Sequence, residues 1–274
     1  KRYIAAGTKS KGILIFDLQK QDAEPIVLWG HSGQVRDVEF DQDVNILYSM
    51  GIDQSILKWN IKDGTNIQIA QSSSRFNDIA LSHNKKILAA SNRAGKIYLI
   101  DAENGGFLDS IAGQESNPVY SLDFSEDGKF LAAGDQRGNV RIFDMSSMSM
   151  INSLRGSSSR IKGVQFSPFG NYLASSSLDG KVLMWEMADL NNSPIIMENL
   201  KDYVFTVQFS PDEKYLISGS SSLKVGPVTT GQLADDFCSM LGRNFTREEW
   251  DIYVASDIDY SETCPLSITK LNTP

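Results

Sequence analysis

Residues 161–186 read IKGVQFSPFGNYLASSSLDGKVLMWE, and this stretch decides the fold. Its first six residues are apolar at positions one, four and six, which indicates a short strand entering a buried core. Turn residues follow at Ser167-Pro168-Phe169-Gly170, then a strand of small residues and a second tight turn at Asp179-Gly180. An apolar strand ends the stretch at Trp185. The pattern therefore predicts short antiparallel strands joined by tight turns.

Both ends of this stretch recur along the chain. Its final aromatic or apolar anchor recurs at positions 16, 59, 100, 143 and 185, with spacings of 43, 41, 43 and 42 residues. The first strand recurs from Val35, Phe76, Val119, Ile161 and Val204. Four short strands in a period of about 42 residues are the signature of a propeller blade. We therefore expect an all-β propeller of four-stranded antiparallel blades, with six blade-like units visible, the sixth a degenerate copy at 223–228.

The two ends of the chain differ from the repeats. Residues 3–6 already have the pattern of a second strand, so we expect the first blade to be truncated and the full protein to have six or seven blades. We assign residues 1–228 to the propeller and 229–274 to a helical C-terminal extension packed on it. Thr230 is expected to cap the first helix of this extension, and Thr246 and Glu249 have the spacing of a capping box for a second.

Composition excludes several classes of protein. The chain has 274 residues, a net charge of −8 and 41% apolar residues, as in ordinary globular proteins. It has no apolar run of about 18 residues and no signal-peptide pattern at its start. Its two cysteines, Cys238 and Cys264, are expected to be free thiols, which favours a reducing, cytoplasmic location. The acidic total disfavours nucleic acid and membrane surfaces as partners.

The repeats resemble the WD40 family from residue 1 to about 228. Gly30-His31 matches its Gly-His dipeptide, and Asp53 and Asp179 each precede a tryptophan, Trp59 and Trp185, by six residues. The resemblance implies a buried polar network of His31, Ser49, Asp53 and Trp59, with Asp179 and Trp185 as a partial copy. A Ser-His-Asp set can also be a hydrolase triad, but no Gly-x-Ser-x-Gly turn surrounds Ser49. We therefore expect this network to stabilise its blade rather than to catalyse a reaction.

The C-terminal region carries a second resemblance. Residues 243–250, Arg-Asn-Phe-Thr-Arg-Glu-Glu-Trp, and the later Thr263-Cys264-Pro265 resemble the tail that follows the WD40 region of bacterial STAND-type NTPases and related multidomain proteins. This resemblance implies a bacterial signalling protein with an NTPase or protease module upstream. It argues against another interpretation, a eukaryotic WD40 scaffold.

Motifs for chemistry are scarce. The chain has no Gly-x-x-x-x-Gly-Lys-Ser/Thr loop, and two thiols fall short of the four ligands of a zinc site. We therefore expect no catalytic residues, cofactor or metal, and a non-catalytic module for protein interaction or ligand sensing. The alternative is a propeller enzyme with its active site in the central channel. Two histidines, one of them assigned to the structural network, offer little for such chemistry.

The family resemblance also suggests where a partner would bind. In WD40 rings, the start of each innermost strand and the residue before the turn Asp surround one end of the channel. These positions are rich in bases and aromatic residues, which are enriched at interface hot spots. The predicted partner-binding face contains Arg36, Arg75, Arg93, Tyr120, Arg160, Lys162, Tyr203 and Phe205. We expect a monomeric segment that binds a protein or peptide, and the basic residues favour an acidic or phosphorylated one.

Overall fold

A computed structural model of the chain describes residues 2–20, 22–41, 45–111, 117–199, 201–241, 244 and 246–249. Its strands form six antiparallel sheets, called blades 1 to 6 in chain order. Blade 1 contains β1 (Tyr3–Gly7), β2 (Gly12–Asp17) and β3 (Ile26–Trp29), and blade 2 contains β4 (Val35–Phe40), β5 (Ile46–Gly51), β6 (Ser55–Asn60) and β7 (Asn66–Gln71). Blade 3 contains β8 (Phe76–Leu81), β9 (Ile87–Asn92), β10 (Ile97–Asp101) and β11 (Phe107–Ile111).

The remaining blades follow the same order. Blade 4 contains β12 (Val119–Phe124), β13 (Phe130–Asp135), β14 (Asn139–Asp144) and β15 (Ser149–Arg155), and blade 5 contains β16 (Ile161–Phe166), β17 (Tyr172–Ser177), β18 (Lys181–Glu186) and β19 (Ile195–Asn199). Blade 6 contains β20 (Thr206–Phe209), β21 (Tyr215–Gly219) and β22 (Leu223–Pro227). Within each blade, each strand pairs with the next one in the chain. The innermost strands of blades 2 to 6 pack side by side around a central channel, which confirms the predicted all-β propeller.

The hydrophobic cores lie between neighbouring blades rather than within one blade. Between blades 2 and 3, for example, Tyr48, Met50 and Ile56 pack against Phe76 and Leu88. Four further clusters repeat this arrangement between the other neighbouring blades. A single blade is therefore too thin to bury both of its faces, and each blade depends on its neighbours for a core.

Hydrogen bonds from side chains join the innermost strands of successive blades. The Asp78 carboxylate accepts from the backbone N–H of Leu122 at 2.6 Å. The Asp123 carboxylate accepts from Phe166 N–H at 2.7 Å, and the Gln165 side-chain oxygen accepts from Phe209 N–H at 2.6 Å. Because each donor and acceptor pair spans one period of the chain, these contacts hold adjacent repeats in register around the channel.

Blade 6 forms despite its divergent sequence. Leu216 of β21 pairs with Gly226 of β22, as Leu173 pairs with Trp185 in blade 5. The turn between β21 and β22 is two residues shorter than the corresponding turn of blade 5, since Gly219 pairs with Leu223. Gly226 therefore occupies the place that tryptophan has in the preceding blade.

A helix, α1 (Thr230–Leu241), follows blade 6. Thr229 caps this helix, because its hydroxyl accepts from Gln232 N–H at 3.1 Å, so the prediction of Thr230 as the cap is wrong by one residue. The Tyr215 hydroxyl donates to Asp236 at 2.9 Å and docks α1 on blade 6. No helix in the parts of the chain described above is long and apolar enough to cross a bilayer.

Two further expectations concern the C-terminal extension. The Thr246–Glu249 capping box is present, since each residue's backbone N–H donates to the other's side chain, at 2.9 and 3.2 Å. Cys238 is buried and disulfide-bonded, so the expectation of a free thiol there is wrong. The argument from free thiols for a reducing compartment is thereby removed. Most of the predicted second helix and all of residues 250–274 lie outside the described residues.

Candidate functional site

A repeated β-bulge positions the residues at one end of the channel. In blade 2, Val35 pairs with Gly51 and Asp37 with Met50, which leaves Arg36 without a partner in the register. The corresponding shifts in blades 3 to 5 leave out Asn77, Tyr120 and Lys162. A bulge bends the strand and redirects the side chain of the extra residue. Three of the eight residues of the predicted face, Arg36, Tyr120 and Lys162, therefore occupy bulge positions.

Lys162 lies in a basic cluster at this end of the channel. Its side chain is half-buried, and burial lowers the pKa of its ammonium group, as does the positive charge of Arg160 and, less strongly, that of Arg36. The carboxyl group of Asp78 acts in the opposite direction on the same pKa. Arg160 and Lys162 flank the first residue of β16, and the arrangement of the blades brings Arg36 of blade 2 towards them. We call these three residues the basic cluster.

Arg160 is fixed in position by two neighbours. Its guanidinium carbon lies 4.1 Å from the centre of the Tyr120 ring, a cation–π contact, and its Nε donates to the Gln136 side chain at 2.9 Å. Both neighbours belong to blade 4, whereas Arg160 precedes blade 5. The contact therefore also stabilises the boundary between these blades.

Two aromatic side chains extend the face towards blade 6. Tyr203 is 57% exposed and Phe205 is 51% exposed, and their ring centres lie 6.3 Å apart in an edge-to-face arrangement. Exposed aromatic pairs of this kind supply large contact area at little conformational cost. The remaining predicted residues, Arg75 and Arg93, are exposed on blade 3, where Arg93 N–H donates to the Arg75 carbonyl at 3.0 Å.

The channel holds acidic side chains that sequence reasoning did not assign to any site. Asp37 and Asp78 are joined by a side-chain hydrogen bond, and enclosure in the channel raises the pKa of both. The pKa of Asp78 is raised further by the charge of Asp37. Desolvation likewise raises the pKa of Asp123 to about 8. Enclosure in the channel therefore disfavours the charged form of all three carboxyl groups.

The opposite end of the channel opens into an acidic cavity of about 390 Å³. Glu39, Asp123 and Glu126 line it together with His83, whose Nε2 lies 2.7 Å from a Glu126 carboxylate oxygen. A histidine beside a carboxylate is a pair that suits acid–base chemistry. Among the residues that the structure describes, no three His, Cys, Asp or Glu side chains are grouped as ligands for a metal ion.

The polar network of blade 2 is fully hydrogen-bonded. The Ser49 hydroxyl lies 2.7 Å from both His31 Nε2 and Trp59 Nε1, and His31 Nδ1 lies 3.0 Å from the Asp53 carboxylate. Asp53 also accepts from the backbone N–H of Ser32 at 2.7 Å. Since Ser49 lies within a strand and is wholly buried, this geometry suits a structural role and leaves no access for a substrate.

The corresponding network of blade 5 is incomplete. Asp179 accepts from Ser158 N–H at 2.6 Å, as Asp53 does from Ser32, and Trp185 is buried in the core between blades 4 and 5. Ser157 occupies the place of His31, however, and the Ser175 hydroxyl, at the place of Ser49, has no hydrogen-bond partner. A serine is too short to bridge the positions that the imidazole joins in blade 2.

Comparison with known protein families finds similar repeats in part of the chain. Residues 148–186 and 196–225 match the model of the WD domain, G-beta repeat (WD40), and residues 110–166 match that of the anaphase-promoting complex subunit 4 WD40 domain. The segments 148–186 and 196–225 are thus similar to WD40 repeats and lie within the β-propeller, as the sequence pattern predicts.

Several curated proteins are similar to the chain. It is 31% identical to WD repeat and HMG-box DNA-binding protein 1 of Xenopus laevis over 59% of its own length and 14% of the relative's. It is 27% identical to autophagy-related protein 16 of Arabidopsis thaliana over 71% and 39% of the respective lengths. It is 23% identical to apoptotic protease-activating factor 1 of Rattus norvegicus over 86% and 19%. The chain therefore spans well under half of these relatives, all of which are eukaryotic.

Proposed function

Because this chain is a propeller with segments similar to WD40 repeats, we propose that it is a non-catalytic protein-interaction module that binds an acidic or phosphorylated segment of a partner protein. The proposed binding face comprises the basic cluster, Arg75 and Arg93, and the aromatic residues Tyr120, Tyr203 and Phe205. The observation that carries the proposal is the convergence of Arg36, Arg160 and Lys162, close enough for their charges to depress the pKa of Lys162.

The physical argument concerns the charge of the cluster. Three like charges gathered at one channel mouth repel each other, and the Asp78 carboxyl offsets only part of the lowering of the Lys162 pKa by burial and by the neighbouring arginines. An anionic partner relieves the repulsion and gains charge-assisted hydrogen bonds, which are stronger than neutral ones. The exposed Tyr203 and Phe205 add apolar contact beside these charges.

The wider context of the module is a second part of the proposal. The tail resemblance to bacterial STAND-type NTPases suggests a multidomain signalling protein, and the curated relatives are much longer than this chain. Because those relatives are eukaryotic, the bacterial source rests on the tail motif alone. The alternative of a channel enzyme rests on His83 and Glu126 at the acidic end.

A peptide-binding experiment tests this function. Fluorescent peptides of acidic, phosphorylated, neutral and basic composition are titrated with the wild type, with Arg36→Glu/Arg160→Glu and with Lys20→Glu/Lys86→Glu. The control variant makes the same change in net charge at exposed lysines outside the face. We expect acidic or phosphorylated peptides to bind the wild type and the control but not the first variant. Equal binding by all three proteins, or a preference for basic peptides, contradicts the proposal.

A further inference from the structure

Blade 4 contains a cavity of about 410 Å³ that is separate from the channel. It is lined by residues of β14 and β15, by the turn between β13 and β14, and by the loop after β15. Because β14 and β15 are the outer strands of the blade, this cavity lies towards its periphery, away from the innermost strand β12. Three arginines line it, Arg137, Arg141 and Arg155, against a single acid, Asp135.

Arg141 is the unusual member of this group. Its side chain is 4% exposed, and its Nε and Nη2 atoms are buried without a hydrogen-bond partner. Its nearest carboxylate oxygen belongs to Asp135, at 3.7 Å from Nε, which is too long for a hydrogen bond. Burial lowers the pKa of the Arg141 guanidinium, since the attraction of Asp135 only partly offsets the loss of solvent. A buried cation with open donors is costly unless an anion pairs with it.

Asp135 attracts the Arg141 guanidinium by its charge, but it does not satisfy the open donors, because other groups already occupy its oxygens. One carboxylate oxygen accepts from the Asn117 side chain at 2.8 Å. The other accepts from the backbone N–H groups of Arg137 and Asn139 at 2.9 and 3.0 Å, and the Asn139 side chain donates to both oxygens. The hydrogen bonds of the Asp135 carboxylate therefore stabilise the turn after β13.

The rest of the cavity offers further donors. Arg137 and Arg155 are exposed at its rim, so their guanidinium groups are free to turn inward over Arg141. Ser157 also lines the cavity, and its hydroxyl is buried without a hydrogen-bond partner. Three guanidinium groups and one committed carboxylate leave a net charge that matches a dianion better than a single carboxylate. Arginine is also the residue that pairs with phosphate through two parallel hydrogen bonds.

We propose that this cavity binds the dianionic phosphate group of a phosphate monoester or of free phosphate, with Arg141 as the buried anchor and Arg137 and Arg155 as the rim. This site is distinct from the basic cluster at the channel mouth and does not depend on the function proposed above. The bound phosphate supplies the hydrogen-bond acceptors that Arg141 lacks.

Calorimetric titration tests the site directly. Inorganic phosphate and O-phosphoserine are titrated into the wild type at constant ionic strength, with chloride and L-serine as controls, because unspecific charge effects are screened by salt. Binding of both ligands supports a site for phosphorylated residues, and binding of inorganic phosphate alone supports a site for the free anion. No binding of either ligand overturns the proposal.

Variants locate the binding. Arg137→Gln and Arg155→Gln alter exposed side chains and are expected to fold, and each should weaken phosphate binding by about tenfold or more, as expected for a lost charge-assisted hydrogen bond. Lys86→Gln is the matched control, because it removes an exposed positive charge outside both the cavity and the channel mouth. Phosphate affinity should be unchanged in this variant. Arg36→Gln reports any binding of phosphate at the basic cluster. An equal affinity in all four variants overturns the site, and a loss confined to Arg36→Gln assigns phosphate binding to the channel mouth instead.

Discussion

The Asp123 carboxylate accepts a hydrogen bond from Phe166 N–H at 2.7 Å and thereby ties the innermost strand of blade 4 to that of blade 5. The same carboxylate lies in the channel, where desolvation raises its pKa to about 8, and the charge of Glu39 adds to this shift. The Asp123 carboxyl group that accepts this hydrogen bond is therefore protonated in the folded protein at neutral pH.

The stability of the protein should therefore fall as the pH rises from about 5 to 8. Between the unfolded pKa of 3.8 and the folded pKa of about 8, the folded state holds a proton that the unfolded state lacks. The stabilisation is complete below the unfolded pKa and is lost as the pH rises through about 8. Asp37 and Asp78, whose pKa values are also raised, act in the same direction. Denaturant melts across this range measure the effect.

Asp123→Asn is the matched variant for this measurement. The amide keeps an oxygen that can accept from Phe166 N–H but cannot ionise, so the decline in stability with pH should become shallower. Asp127 and Asp144 do not affect this measurement. Their pKa values are about 2, so their contribution to the stability changes with pH only below about pH 4. A wild-type stability that is flat or rising between pH 5 and 8 contradicts the prediction.

Trp59→Ala should lower the free energy of unfolding by about 3–5 kcal/mol. The change removes a wholly buried indole from the core between blades 1 and 2 and takes one donor from the Ser49 hydroxyl. Trp59→Phe separates these effects, since it keeps most of the apolar volume and loses only the hydrogen bond, at a cost of about 1–3 kcal/mol. Urea melts of both variants check the prediction, and unchanged midpoints would exclude a stabilising role for the network.

Gly170→Ala should destabilise the turn between β16 and β17 by about 1–2 kcal/mol. Gly170 has a φ of +75°, and an added Cβ there meets no atom within 4 Å, so the expected loss reports backbone strain alone. Gly226→Ala is the control, because its Cβ also meets open space while its φ is not positive. Equal thermal melts for the two variants would mean that the turn tolerates the alanine.

Salt should separate two parts of the partner affinity. Once an acidic or phosphorylated ligand is found, Arg36→Glu should slow association mainly at low ionic strength, because exposed charges steer encounters and are screened by salt. Tyr203→Ala/Phe205→Ala should instead speed dissociation to a similar extent at all salt concentrations, since apolar contact is not screened. Stopped-flow measurements of both rates distinguish these outcomes. An aromatic variant that behaves like the wild type would exclude this pair from the binding face.

The repeat period and the apolar positions along each strand determined the propeller from the sequence alone. Apolar residues such as Ile161, Val164 and Phe166 mark one short strand, and turn residues follow that strand. The repetition of this pattern indicates closely spaced short strands. The His31, Ser49, Asp53 and Trp59 set was also recognisable, because one blade holds all of it and the resemblance to WD40 repeats implies it. The residues of one blade lie close together in the chain. Patterns within a blade therefore recur in the sequence with the period of the repeat.

Only the tertiary structure decided what happens between blades. The bulges at Arg36, Tyr120 and Lys162 arise from strand pairing, which periodicity does not reveal. The raised pKa of Asp123 depends on the enclosing channel. Arg141 in sequence is an ordinary charged residue in a strand, yet packing buries it while Asp135 is held by other donors. Burial and electrostatics depend on groups brought together from distant parts of the chain, so no local pattern can report them.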